Sequence, residues 1–218
     1  KKPFVYADAC NNGAFDQSSS LAEDVQQDWG IGFVGASRVS FYCIGWMGPS
    51  DPWNQAMDYR FFEQLLSLGK YRAGQAFYDM KVDYINDFSP VYGPEYDYAS
   101  RKNFLAYNLL GDPELNLYTR EPNNLTLSTV SNFTAGATAA INVTVTNSTG
   151  DAVANATVCV YDGNMVLNWT LTDVSGVARF NITTNDNVTV TATRQHFVAE
   201  QENITALAAG VAPNVTNI

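Results

Sequence analysis

Phe4-Val5-Tyr6-Ala7-Asp8-Ala9-Cys10-Asn11-Asn12-Gly13-Ala14-Phe15 is an apolar run that stops in a cysteine and gives way at once to small and polar residues. An unbroken apolar start of this kind suits a strand buried on both faces, the habit of parallel sheets. In such sheets ligands and reacting groups collect at the carboxyl ends of the strands. A thiol at Cys10 is therefore exposed where chemistry is done. Its own backbone N–H can serve as one oxyanion donor, a contribution of roughly 3 kcal/mol to a reaction barrier. The plain alternative is a small buried apolar side chain, the commoner fate of a free cysteine.

Working outward, the strand is expected to span about 2–9. Ser20-Leu21-Ala22-Glu23 reads as a capping box that opens a helix running to about Gln27. Gly32-Phe33-Val34-Gly35-Ala36 is a second buried strand. Asp51-Pro52 predicts an N-cap with proline at the first helical position, the helix running from about Trp53 to Leu68 and stopping at Gly69. Further helices are expected over about 72–85 and 98–109, a turn at Gly111-Asp112-Pro113, and a short closing strand at Leu115-Asn116-Leu117-Tyr118. Strands alternating with helices predict an α/β unit, residues 1–120, with a mostly parallel sheet covered on both faces.

At Glu121-Pro122 the texture changes. Residues 121–218 keep two basic residues, Arg179 and Arg194, and are rich in Thr, Val, Asn and Ala. The stretches 140–146, 156–161 and 188–193 alternate with period two, separated by turns such as Asp162-Gly163-Asn164. Short alternating strands at this spacing predict an all-β antiparallel sandwich of the immunoglobulin-like kind. Ten sequons fall here, at Asn124, Asn132, Asn142, Asn147, Asn155, Asn168, Asn181, Asn187, Asn203 and Asn214, each with Thr two residues on; residues 1–120 contain none. Strand propensity explains abundant Thr, but not its register with Asn. N-glycosylation is the better reading, and it implies export to the cell surface or beyond.

The order of motifs around Cys10 resembles the gingipain family of cysteine peptidases, which share the caspase-type fold. Ala9-Cys10-Asn11-Asn12-Gly13-Ala14-Phe15 looks like that family's nucleophile region. Leu21-Ala22-Glu23, Ile31-Gly32-Phe33-Val34-Gly35-Ala36-Ser37 and Leu110-Gly111-Asp112-Pro113-Glu114-Leu115 fall where the family has a helix, the next strand and a closing signature, followed by an immunoglobulin-like domain. The resemblance implies that Cys10 is a thiolate nucleophile attacking a peptide carbonyl, with a histidine relaying the proton. It places Asn11, Gly13, Trp46 and Trp53 at or near a substrate pocket. The family's histidine and acidic pocket residue precede the cysteine by more than nine residues, so both are expected from an upstream segment of the same protein or from a second chain. The single histidine, His196, reads as an ordinary residue of the β half. The start at Lys1-Lys2-Pro3, with no Met or signal peptide, suggests a processed or truncated chain.

Composition narrows the partners. Hydrophobic residues make up 46% and charged residues 16%, which is globular, and the formal charge of −10 disfavours nucleic acid and anionic lipid. No apolar run reaches the length of a membrane span. Three cysteines, Cys10, Cys43 and Cys159, make no disulfide framework and no zinc motif. Cys43 is expected in the core. No cofactor is required. Asp8, Asp16, Glu23 and Asp24 are the carboxylates a structural calcium would draw on, although solvation and, for Glu23, a helix-terminus role are the simpler readings. Two functions stay open: a secreted or surface cysteine endopeptidase, or a non-catalytic surface or filament glycoprotein using the same fold as scaffold. A carbohydrate- or cell-wall-binding role of the sandwich has only the fold behind it.

Overall fold

A computed structural model describes residues 2–17, 19–48, 51–88 and 94–210, with the side chains of residues 88 and 94–97 left undescribed. The chain divides into two compact units, Lys1–Thr119 and Arg120–Ile218.

The first unit is built on three strands, β1 (Phe4–Ala7), β2 (Gly32–Ala36) and β3 (Tyr107–Gly111), in the order β1-β2-β3. β1 runs parallel to β2, pairing Phe4 with Gly32 and Ala7 with Gly35. β3 is antiparallel to β2, pairing Tyr107 with Ala36 and Gly111 with Gly32. The sheet is therefore mixed rather than mostly parallel. All five residues of β2 are buried, as its continuous apolar run requires of a central strand. One face is covered by α1 (Leu21–Asp24) and the π-helical turn Val25–Trp29 that continues it beyond the expected Gln27, with Ala22 and Val25 packing on Phe33. The serine half of the capping box is formed, Ser20 Oγ accepting from the Glu23 N–H at 3.3 Å, while the Glu23 carboxylate takes the Ser20 hydroxyl rather than its N–H. The other face carries α2 (Asn54–Leu66) and α3 (Ala73–Phe88), whose Met57, Phe61, Met80 and Tyr84 meet Val34, Ala36 and Tyr107.

Three expectations fail for identifiable reasons. α4 (Pro94–Ala106) stops at Ala106, and Tyr107–Leu110 is strand, not helix. Four residues, Tyr107-Asn108-Leu109-Leu110, are too few to carry a period of their own, and pairing with β2 decides their state. The Lys81 amine, drawn between the Phe77 and Phe104 rings, donates to the Phe104 and Tyr107 carbonyls at 2.7 and 2.8 Å and so closes the helix end. Leu115–Tyr118 adds no strand to the sheet. The Pro113 and Leu115 carbonyls instead accept from the Gly74 and Ala73 N–H groups, capping the start of α3, with a single bridge between Arg72 and Asn116. Asp51 does not cap α2. Its carboxylate accepts from the Met47 and Gly48 N–H groups at 2.5 and 3.2 Å, and the helix begins after Trp53 with no side-chain cap.

The second unit is all β among its described residues. β4 (Asn123–Ser128), β6 (Thr138–Asn147), β9 (Val177–Thr183) and β11 (Phe197–Val198) form one sheet, in the order β11-β4-β6-β9. β5 (Asn132–Thr134), β7 (Thr157–Tyr161), β8 (Val166–Leu171), β10 (Val188–Thr193) and β12 (Glu200–Leu207) form the other, in the order β5-β12-β10-β7-β8. The pairings are antiparallel except β4–β11 and β5–β12. Alternate residues from both sheets, among them Leu125, Ile141, Val143, Val158, Val160, Phe180, Val190 and Ile204, share one core. Gly176 turns the chain into β9 at φ +76°, and a Cβ there would lie 2.6 Å from the Val145 carbonyl oxygen and 3.1 Å from the Val153 nitrogen. Both neighbours are backbone, so neither yields easily. Gly176→Ala is expected to cost about 2–4 kcal/mol of unfolding free energy, combining left-handed strain with the clash. Urea titration measures it, and a loss under 1 kcal/mol would contradict the packing described.

Candidate active site

The site is assembled where β1 and β2 end together. β1 delivers Ala7, and the turn Ala9–Gly13 swings back over the end of β2. Asn12 joins the two strand ends: its amide donates to the Ala7 carbonyl at 3.0 Å, and its Oδ1 accepts from the Ala36 N–H at 2.9 Å. Asn11, at φ +57°, donates its N–H to the Arg38 carbonyl at 3.2 Å, and the Gly13 N–H bonds Ala36 O at 3.0 Å. Gly13 is buried. A Cβ there would come within 3.2 Å of the Gly35 oxygen, so glycine lets the turn lie this close without a shift of β2. The turn leaves Cys10 exposed, three residues beyond β1. Its backbone N–H donates no hydrogen bond among the described residues, as an oxyanion donor must not.

Ser40, brought alongside by the chain leaving β2, surrounds the Cys10 sulfur with three atoms. Its carbonyl lies 3.2 Å from Sγ, its N–H nitrogen 3.4 Å and its hydroxyl 3.6 Å. The next residue is fixed from α4. Asn103, with no exposed surface, accepts from the Phe41 N–H at 2.7 Å and donates to the Phe41 carbonyl at 2.8 Å. A side-chain amide thus clamps one residue in the manner of a β-bridge, and holds the segment beyond it in register. That segment lines a pocket of about 630 Å³, walled by Val39–Ile44 and by Asp51, Pro52 and Trp53. Trp53 is held at φ +79°. A large aromatic residue in this region costs of order 1–3 kcal/mol and persists only where its surroundings impose it.

The expected pocket residues separate here. Trp53 lines the pocket. Asn11 and Gly13 serve the turn instead, and Trp46 sits on the neighbouring loop, 44% exposed, outside the lining. Cys43 is not in the core. It is half-buried in the pocket wall, its N–H and carbonyl bonded to the Gln55 side chain at 2.9 and 3.2 Å. All three cysteines are free thiols. Three of the four carboxylates considered for calcium take separate partners. Asp16 pairs with Arg38 at 2.8 Å, Glu23 with Ser20 and Asp8 with Tyr107, and no three metal-binding side chains converge among the described residues. His196 lies in the second unit, at φ +66° in the turn before β11. Burial, and then the Arg120 charge, lower its pKa.

Behind Cys10 stands a polar cluster. Tyr107 donates its hydroxyl to Asp8 at 3.0 Å. Asp58 on α2 faces the same region, and partial burial, with the Asp8 charge next, pushes its carboxyl up to about 6. An acid whose folded pKa is raised weakens the fold as pH climbs through the window from its ordinary value to the raised one. Below that window both states are protonated and the penalty vanishes. Asp58→Asn is therefore expected to stabilise the protein at pH 7.5 by about 1–2 kcal/mol, allowing for solvent screening, and to do nothing at pH 3.5. Urea titrations at the two pH values check the sign; destabilisation at pH 7.5 would contradict it. Sequence reasoning missed Asn12, Ser40, Asn103 and Tyr107 as members of this site. Only Asn12 sits in a motif; the others reach it through contacts spanning 30 to 99 residues.

A comparison with protein-family models matches residues 1–118 to peptidase family C25. No curated protein matches the chain. A cysteine presented beyond a strand end, beside a pocket and held by a buried network, lies within the matched region. The chain belongs to peptidase family C25, the gingipain family of cysteine peptidases.

Proposed function

We propose that this chain is part of a secreted or cell-surface cysteine endopeptidase in which the Cys10 thiolate attacks the scissile carbonyl of a peptide. The observation that carries the reading is the placement of Cys10: exposed, beyond the end of β1, with an N–H that donates to none of the described residues and an aromatic pocket reached through Ser40. In this reading the Cys10 N–H receives the developing oxyanion, and the substrate side chain next to the scissile bond enters the pocket against Phe41, Ile44 and Trp53. A histidine from outside residues 1–218 takes the thiol proton and returns it to the leaving amine. The experiment is hydrolysis of an unfolded protein substrate by the full-length protein, with and without prior iodoacetamide. Activity lost in step with Cys10 alkylation supports the reading, and activity indifferent to alkylation overturns it.

The second unit is proposed to be an immunoglobulin-like sandwich that carries N-linked glycans. Nine of the ten sequons fall on described residues, and none of those asparagines is buried; Asn214 lies outside the described residues. On a strand, residues two apart point the same way, so Asn142 with Thr144 and Asn181 with Thr183 share the outward face while Val143 and Ile182 fill the core. That arrangement supports access for a glycosylating enzyme. At least three sequons are expected to be occupied, Asn147 and Asn155 near turns among them. Intact mass before and after chemical deglycosylation of protein from its native source measures this, and an unchanged mass would rule it out.

A further inference from the structure

We propose that Ser40 is the positioning residue of the Cys10 nucleophile, holding the thiol through its carbonyl and the thiolate through its N–H and hydroxyl. This rests on the reading of Cys10 as nucleophile. The three contacts have opposite electrical preferences. A thiol donates its proton, and the Ser40 carbonyl at 3.2 Å is placed to accept it. A thiolate has no proton to give. The carbonyl then repels it, while the N–H at 3.4 Å and the hydroxyl at 3.6 Å become its donors. Loss of the proton to the base therefore changes which atoms of Ser40 hold the sulfur, without moving the sulfur away. Donors to the charged form lower a pKa, and those to a thiolate raise the reactive fraction at neutral pH.

One feature makes Ser40 fit for this role. It is rigid: 5% exposed, it precedes Phe41, which Asn103 clamps at both backbone groups. The charged groups around this arrangement are Asp8, two residues before Cys10, Asp58 on α2, and the Arg38–Asp16 ion pair on the adjoining segments. None of these residues is changed in the variants below.

The test reads the thiol directly. Cys43 and Cys159 are replaced by serine in the full chain, and the rate of Cys10 alkylation by iodoacetamide is followed from pH 5 to 10. Ser40→Ala is expected to move the midpoint up by about 0.5–1 pH unit and to slow alkylation about 3- to 10-fold below the midpoint, whereas Ser40→Thr keeps the parental midpoint. The isosteric pair Ser40→Thr and Ser40→Val, which differ only in hydroxyl against methyl, decides the matter if the alanine variant does not fold. A folded Ser40→Ala protein with an unmoved midpoint, or Thr and Val variants with the same midpoint, overturns the proposal. The profile needs neither substrate nor histidine. A midpoint that shifts in a protein without peptidase activity therefore counts against the enzyme reading alone.

Discussion

Cys10→Ala is expected to lower the peptidase activity of the full-length protein by at least about 10³-fold in kcat, with only a small change in its thermal unfolding, from loss of the Ser40 contacts to sulfur. The size follows from the role. A nucleophile that forms the covalent intermediate has no substitute, and what survives its removal is only the binding and oxyanion contribution. The small size of the folding effect follows from the position. Cys10 is exposed, and the turn that carries it is held by backbone bonds of Asn11 and Gly13 and by the Asn12 side chain, none of which involves sulfur. Steady-state kinetics on the wild-type and variant proteins, with matched melting curves, measure both halves. A variant retaining a tenth of the activity would mean that another group performs the attack.

Asn103→Ala should damage both stability and activity, and for one reason. The side chain is fully buried and satisfies both backbone groups of Phe41, at 2.7 and 2.8 Å. Truncation leaves a donor and an acceptor without partners in a part-buried site and opens a small cavity. Together these are worth about 2–4 kcal/mol. Because Phe41 follows Ser40 and begins the pocket wall, releasing it loosens both the sulfur's neighbour and the substrate's seat. The expected result is a clear fall in the urea midpoint together with a fall in kcat/KM of about tenfold or more at a temperature where the variant is still folded. If the stability falls but kcat/KM holds, the clamp is structural only.

The legible parts of this chain were those where local chemistry and tertiary demand agree. Buried β2 could be read because its five residues are apolar or glycine with nothing to alternate. The capping box at Ser20 could be read because its partner lies three residues away. The strands of the second unit could be read from their alternation, since Ile141, Val143 and Val145 go to the core while Asn142 and Thr144 do not. Tyr107–Leu110 misled because four residues hold no period. Asp51-Pro52 misled because the aspartate found two closer N–H donors in its own loop. The same distinction governs the site. Cys10 stood out through its place after an apolar run, and Trp53 through the resemblance to the family, which named Trp46 with it. Ser40, Asn103 and Tyr107 carry no local mark of function; a serine after a strand and an asparagine within a helix are ordinary until the fold sets them against Cys10 and Phe41. The mixed sheet was hidden for a related reason: the direction of β3 depends on where α4 ends, and Lys81, 26 residues before Tyr107, helps to end it.

The central claim is that Cys10, among three free thiols, is the nucleophile. Cys43 competes for that role, since it lines the pocket and Cys10 only adjoins it. The direct measurement is to treat the full-length folded protein with a peptidyl chloromethyl ketone at limiting concentration, digest it, and locate the adduct by mass spectrometry. The account predicts a single adduct on Cys10, formed with loss of peptidase activity and prevented by prior unfolding in urea. An adduct on Cys43, or labelling of Cys10 no faster than in the unfolded chain, would contradict it.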